Sequence, residues 1–204
     1  MREPRRVALA LLYALEGEGA WGRDELEPVR SFTGSEHTVL RQMITRGLNT
    51  VPTSSAGRLC DGVAALLGLC QTASFEGEAA IMLEYAADPH ERGCYPLELT
   101  GELLDWHPTV AALLADLRRG VGVDVISARF HNALVAALVA TARRFDPPAV
   151  ALSGGCFQNR LLTERAAAAL EATGRRVLLH RLVPPNDGGI SLGQVAAAAA
   201  QMRA

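Results

Sequence analysis

The sequence predicts an α/β chain, mainly helical over residues 1–94 and alternating strand and helix over residues 95–204. Three observations carry this. Apolar residues recur at helical spacing through the first part. Val150–Leu152 reads as a short buried strand, followed by the tight turn Ser153-Gly154-Gly155 and a helix from Phe157 onward. A second strand, Arg176–Leu182, runs into Pro184-Pro185-Asn186-Asp187-Gly188-Gly189 and a closing helix. Strand, helix, strand, helix implies right-handed parallel crossovers, and polar turns at the carboxyl ends of parallel strands form a ligand crevice.

The elements follow in order. Arg5–Leu15 is a helix broken by Glu16-Gly17-Glu18-Gly19. Its apolar run after arginines has the outline of a secretory leader, but Glu3 precedes it and no A-x-A site follows, so it reads as an amphipathic first helix. Glu36–Arg46 is a helix with Ser35 as its cap, Gly47 as its stop and Val39, Met43 and Ile44 as its apolar stripe. Helices over Ser55–Leu69 and Gly77–Ala87 come next, and Asp88–Thr100, with Pro89, Gly93 and Pro96, is a candidate linker. Pro108–Arg119 and Asp124–Arg144 are helices, the second carrying Ile126, Phe130, Leu134, Leu138 and Thr141 on one face. Gln158–Ala172 is a helix ending at Gly174, and Asp187–Met202 closes the chain.

At 204 residues and 49% apolar content, the chain is one large domain or two small ones with a real core. A net charge of −2 and scattered arginines give no nucleic-acid footprint. All 20 basic residues are Arg, which excludes a Walker-type phosphate lysine and a lysine Schiff base. The four cysteines show no C-x-x-C spacing, the pattern of reduced thiols in a cytoplasmic protein. No apolar stretch approaches the roughly 20 residues of a membrane span.

The chemistry gathers at the two glycine turns. Gly154 and Gly155 let backbone approach a ligand closely and aim the N–H groups of the following helix at an anion. Asn159 stands in the first turn of that helix, where its amide both donates to and accepts from a nucleoside. Cys156, inside the turn, has a nucleophile reading beside the reading as a buried thiol. Arg160 is a phosphate contact or an exposed helix arginine, and Glu76 and Glu78 complement a helix N-terminus. Asp187 reads as the N-cap of the last helix. Asp61 reads by itself as an exposed helix carboxylate, and Gly77 as a helix-start glycine. His131 reads as a hydrogen-bonded structural histidine.

Ser153-Gly154-Gly155-Cys156-Phe157-Gln158-Asn159-Arg160 together with Pro184–Gln194 resembles the C-terminal end of the hydrogenase-maturation carbamoyltransferases (HypF). Arg2–Arg6, Ser54–Gly68 and Phe75–Ala80 agree in the same order, so the resemblance spans nearly the whole chain. More distantly the pattern is similar to the tRNA threonylcarbamoyl transferases (TsaD). The resemblance implies the C-terminal half of an actin-like ATPase (ASKHA) fold. It also implies an enzyme that forms carbamoyl adenylate from carbamoyl phosphate and ATP and passes the carbamoyl group to the C-terminal cysteine of a HypE-like acceptor protein. By residue, it implies that Asp61, Gly77, Gly154, Gly155 and Asn159 hold the ATP-derived adenylate and that Asp187 is a metal ligand. In the family, that aspartate is joined by an H-x-x-x-H pair holding a divalent ion, iron or zinc. The five histidines here, His37, His90, His107, His131 and His180, contain no such pair. The metal site is therefore incomplete unless an N-terminal half supplies the pair in trans. Two rival readings remain: a non-catalytic split-gene fragment, and a carbamoyltransferase acting on a hydroxyl or tRNA acceptor. The Phe75–Ala80 and Pro184–Ile190 motifs favour the hydrogenase branch.

Overall fold

A computed structural model describes residues 2–202. The first part is a pile of helices: α1 (Pro4–Glu16), α2 (Glu27–Arg30), α3 (Gly34–Arg46), α4 (Ala56–Leu66) and α5 (Glu78–Ala86). A small antiparallel hairpin follows, β1 (Glu98–Thr100) against β2 (Leu103–Asp105). Then come α6 (His107–Arg118) and the long α7 (Val123–Phe145). The chain finishes with β3 (Ala149–Leu152), a 3₁₀ turn Gly155–Gln158, α8 (Arg160–Glu171), β4 (Arg176–Leu179), a 3₁₀ turn Asp187–Gly189 and α9 (Ile190–Gln201). Strands β3 and β4 pair in parallel, from Ala149 opposite Arg176 to Leu152 opposite Leu179.

Local chemistry sets the helix ends. Pro4 starts α1, where a missing N–H costs nothing. The cap of α3 is Thr33 rather than Ser35: its hydroxyl accepts from Glu36 N while the Glu36 carboxylate accepts from Thr33 N at 2.8 Å. This reciprocal pairing needs a spacing of three, which Ser35 does not have to Glu36. Gly47 closes α3 at φ 65°, as its glycine implies. Ser55 caps α4 by accepting from Arg58 N.

Most of the core is helix on helix. Leu9 and Leu12 of α1, Val63 of α4, Leu83 of α5, Leu113 of α6 and Ile126 and Phe130 of α7 are wholly buried together. A second, smaller cluster lies under the parallel pair, built from Leu152 of β3, Ala166 and Leu170 of α8 and Ala142 of α7. Helix α7 belongs to both clusters, its first half to one and its last turns to the other. The boundary expected at residue 94 therefore does not coincide with a division of the core. Nor does the segment before β1 hang free. The Tyr95 hydroxyl donates to Asp116 at 2.7 Å, and Asn132 Nδ2 donates to the Gly93 carbonyl at 2.7 Å.

Two expectations change here. Helix α7, at 23 residues, is long and apolar enough to cross a membrane by length and composition. In this fold it is a core helix, with Ser127 and His131 buried among its apolar residues. Ser127, Arg129, His131 and Asn132 interrupt its apolar run, so no unbroken apolar stretch of that length stands in the sequence. The hairpin β1–β2 begins inside the expected linker Asp88–Thr100; it is three residues a side, with Leu103 73% exposed, and too short to show a period.

Candidate nucleotide site at the glycine turns

The carboxyl ends of β3 and β4 bring both glycine motifs together. Gly154 N donates to the Pro185 carbonyl at 2.7 Å, tying the first turn to the Pro184–Gly189 loop. Beside it, Ser153 Oγ and His180 Nε2 lie 3.0 Å apart. Gly154 sits at φ +105° and ψ 159°, a conformation essentially reserved for glycine. Beyond it the N–H groups of Gly155 and Cys156 have no acceptor among the described residues. Two unused donors at an exposed turn can take an oxyanion.

The second wall is α4. A Cβ on Gly57 would lie 3.9 Å from Cys156 Sγ, so the turn packs directly over the start of this helix. One helical turn further, Asp61 is 6% exposed and ion-paired with Arg58 at 2.8 Å. The reading of Asp61 as an exposed carboxylate is thus overturned: α4 presents it inward, on the side packed against the turn. Burial raises its pKa, Arg58 opposes that and the Glu76 charge adds to it. The thiols nearby are shifted away from the thiolate form. Burial, with the neighbouring Cys156 and Asp61, pushes Cys60 up to about 12, and burial with the Asp61 charge raises Cys156. Only a thiolate attacks, and burial together with the Asp61 charge holds Cys156 away from that form.

Asn159 is the N-cap of α8 rather than a residue of its first turn. Its Oδ1 accepts from Leu162 N at 2.7 Å, and its Nδ2 lies 2.9 Å from His131 Nε2. Glu84, on α5, completes the end of the helix: its Oε1 accepts from Arg160 N at 2.7 Å and from Leu161 N at 3.2 Å. The first three N–H groups of α8 are therefore satisfied within the chain. This corrects the expectation that they face an anion. The open donors are one turn earlier, at Gly155 and Cys156. Sequence reasoning missed Glu84, since nothing in its context links it to a helix 76 residues away.

The other assigned residues separate. Gly77 caps α5 at φ +86°, and a Cβ there would meet nothing within 4 Å. Its glycine is explained by the backbone turn rather than by a close approach within this chain. Arg160 points outward and pairs with Glu164 at 2.7 Å. Asp187 does not cap the last helix. It opens the 3₁₀ turn, whose cap is Asn186, with the Asn186 side chain accepting from Gly188 N at 3.1 Å. The asparagine one residue earlier has the reach to bond two residues on, which leaves Asp187 exposed. Among the described residues no group of three or more His, Cys, Asp and Glu is placed to hold a metal ion. The residues present therefore do not make a metal site, and Asp187 supplies at most one ligand.

A model of the carbamoyltransferase Kae1-like domain, second subdomain, matches residues 1–194. The chain belongs to this carbamoyltransferase family. It is 36% identical to the carbamoyltransferase HypF of Synechocystis sp., over 97% of this chain and 28% of that one. It is 39% identical to the HypF of Rhodobacter capsulatus, over 98% of this chain and 26% of that one. A crystal structure of full-length HypF in a phosphate- and nucleotide-bound form superposes with a TM-score of 0.83 at 32% identity, covering 95% of this chain and 26% of the other. The chain thus spans about a quarter of the length of these HypF relatives.

Proposed function

We propose that this chain forms one wall of the nucleotide pocket of a hydrogenase-maturation carbamoyltransferase and holds carbamoyl adenylate for transfer to the C-terminal cysteine of a HypE-like acceptor. The observation that carries this is the glycine turn itself. Gly154 at a glycine-only conformation leaves two N–H donors open, directly over the helix that buries Asp61. A relative of this fold is known in a phosphate- and nucleotide-bound form, which supports the same ligand class here.

In this reading the N–H groups of Gly155 and Cys156 take a phosphate oxygen of the adenylate, while Asp61 and Asn159 recognise its hydroxyls and base. The contribution of the chain is orientation: a ligand held in one pose spends its entropy before the transfer. The actin-like architecture supplies the opposite wall. Support for that comes from the surface: α9 has no buried residue, and Ile190, Leu192 and Val195 are 52%, 56% and 65% exposed. Leu178 and Leu179 of the two-stranded sheet are also open to solvent. These apolar groups suit a further segment, in cis or in trans. A divalent ion belongs in that assembly only if the other segment brings the H-x-x-x-H pair to Asp187.

The test is to mix the purified chain with carbamoyl phosphate and ATP, with and without the preceding segments of a HypF relative. The chain alone binds nucleotide but releases no pyrophosphate. The mixture releases it and carbamoylates a HypE-like acceptor at its C-terminal cysteine, read by mass spectrometry. Pyrophosphate release by the chain alone, or a mixture that stays inactive while each part is folded, defeats the proposal.

A further inference from the structure

Asn159 is held by a buried relay that runs back into α7 and α5. The Ser127 hydroxyl donates to the Leu83 carbonyl, tying α7 to α5. One turn along α7, His131 Nδ1 lies 2.8 Å from the Ser127 carbonyl, and the ring is 1% exposed. A carbonyl only accepts, so Nδ1 carries the ring proton. In a neutral ring Nε2 is then an acceptor, and among the described residues its one hydrogen-bond partner is the Asn159 amide at 2.9 Å. The amide must turn its NH₂ toward the ring. Its oxygen is thereby aimed at Leu162 N, where the 2.7 Å cap bond is found. Two independent bonds, one from each end, specify the same amide orientation.

We infer that His131 is a positioning residue that sets the face which Asn159 presents at the glycine turn, through a fixed tautomer with Nδ1 protonated. This rests on the nucleotide reading for what Asn159 then binds; the relay itself does not. Among the described residues one Nδ2 hydrogen and one Oδ1 lone pair of Asn159 remain uncommitted, a donor and an acceptor on the same amide. An adenine edge or a pair of sugar hydroxyls offers the complementary pair. A flipped amide would set two hydrogen-bond donors against each other at Leu162 and two acceptors at His131.

The relay also responds to acid. Burial lowers the His131 pKa below its ordinary 6.5; the Ser127 bond opposes this, as does Glu84 of α5, while Arg165 of α8 adds to it. Charging the ring would turn Nε2 into a donor facing a donor. The folded state therefore resists protonation while the unfolded chain takes up a proton below about 6.5, so stability falls as pH drops through that value.

The experiment uses the whole chain labelled with ¹⁵N. Long-range proton–nitrogen spectra should show the His131 ring protonated at Nδ1 and bare at Nε2, unchanged as pH is lowered through 6.5. A proton on Nε2, or a ring that charges at or above that pH, overturns the inference. In the same chain, ATP is titrated by calorimetry against the parent and two variants. His131→Leu, which leaves Asn159 held only by its cap bond to Leu162 N, should weaken ATP about tenfold. His131→Gln, whose amide oxygen accepts from Asn159, should stay within about threefold of the parent and lose the acid-dependent step. Equal losses in the two variants overturn the positioning role. No ATP binding by the folded parent chain defeats the nucleotide reading and the ligand half of this inference, and the ring tautomer separately decides the relay.

Discussion

At Asp61, the balance between burial and one ion pair is measurable. Its pKa is raised by burial, with Arg58 only partly compensating, so the folded state holds the proton more tightly than the unfolded chain does. For such a group stability is fully present below the ordinary carboxylate value of 3.8 and declines as pH rises through the folded pKa. Asp61→Asn removes that decline. Relative to the parent, the variant should therefore gain stability as pH rises above 3.8, the gain levelling off once Asp61 is ionised in the folded state. Paired urea melts across the acid range check the sign; a gain that shrinks with rising pH would contradict it. Asn159 gives the opposite kind of effect. Asn159→Ala removes the cap of α8 and leaves His131 Nε2 unpaired, and a loss of about 0.5–2 kcal/mol is expected in denaturant melts. The Asn159 motif was legible in the sequence. Its partners Glu84 and His131 were not, because hydrogen bonds across 76 and 28 residues leave no local period or spacing.

Among the elements, α1 and α4 show how one atom governs a helix crossing. A Cβ added at Gly62 would meet Leu11 Cδ1 at 2.5 Å and Val7 Cγ1 at 3.2 Å, so α4 approaches α1 closely there and the methyl ends of both side chains would have to shift to admit it. Gly62→Ala should cost about 1–3 kcal/mol through overpacking. Gly193→Ala is the control, since α9 leaves open space at that position. It should be neutral or stabilising by up to about 1 kcal/mol from helix propensity alone. Thermal melts of the two single variants separate them, and equal effects would mean that the α1–α4 contact is not tight. Helix existence followed from periodicity except for the four-residue α2, too short to show a period, whereas ends depended on caps. Thr33 and Asn186 each displaced a neighbouring residue that also had cap chemistry, because reach to the right N–H decides between neighbours.

Across the whole molecule, stability is unevenly spread. Asp116 of α6 gathers Tyr95 from the segment before β1, Arg119 of α6's own end and Arg129 of α7. Burial alone would raise its pKa, but these three hydrogen bonds outweigh it and the net shift is downward. A lowered carboxylate contributes stability above its ordinary 3.8 and loses it as pH falls through the folded pKa. Asp116→Asn should therefore be destabilised at neutral pH, with the deficit narrowing on acidification below 3.8. Melts at neutral pH and below that value read this directly. Helix α9 lies at the other extreme. Ending the chain after Gly189 removes no buried side chain among the described residues, so the melting temperature should move by less than about 2–4 °C. A larger drop would show that α9 is held by contacts its exposure does not reveal.

What the sequence by itself determined was the local grammar and the family: helical periods in the first part, glycine turns after two short strands, and motifs recurring in one order. These depend on near neighbours, whose chemistry is readable along the chain. Tertiary structure alone decided that Asp61 faces inward, that Glu84 rather than a ligand occupies the end of α8, and that α7 binds two clusters into one body. Each of these is a contact between segments far apart in sequence. Its energy comes from burying and pairing groups that meet only once the helices have packed.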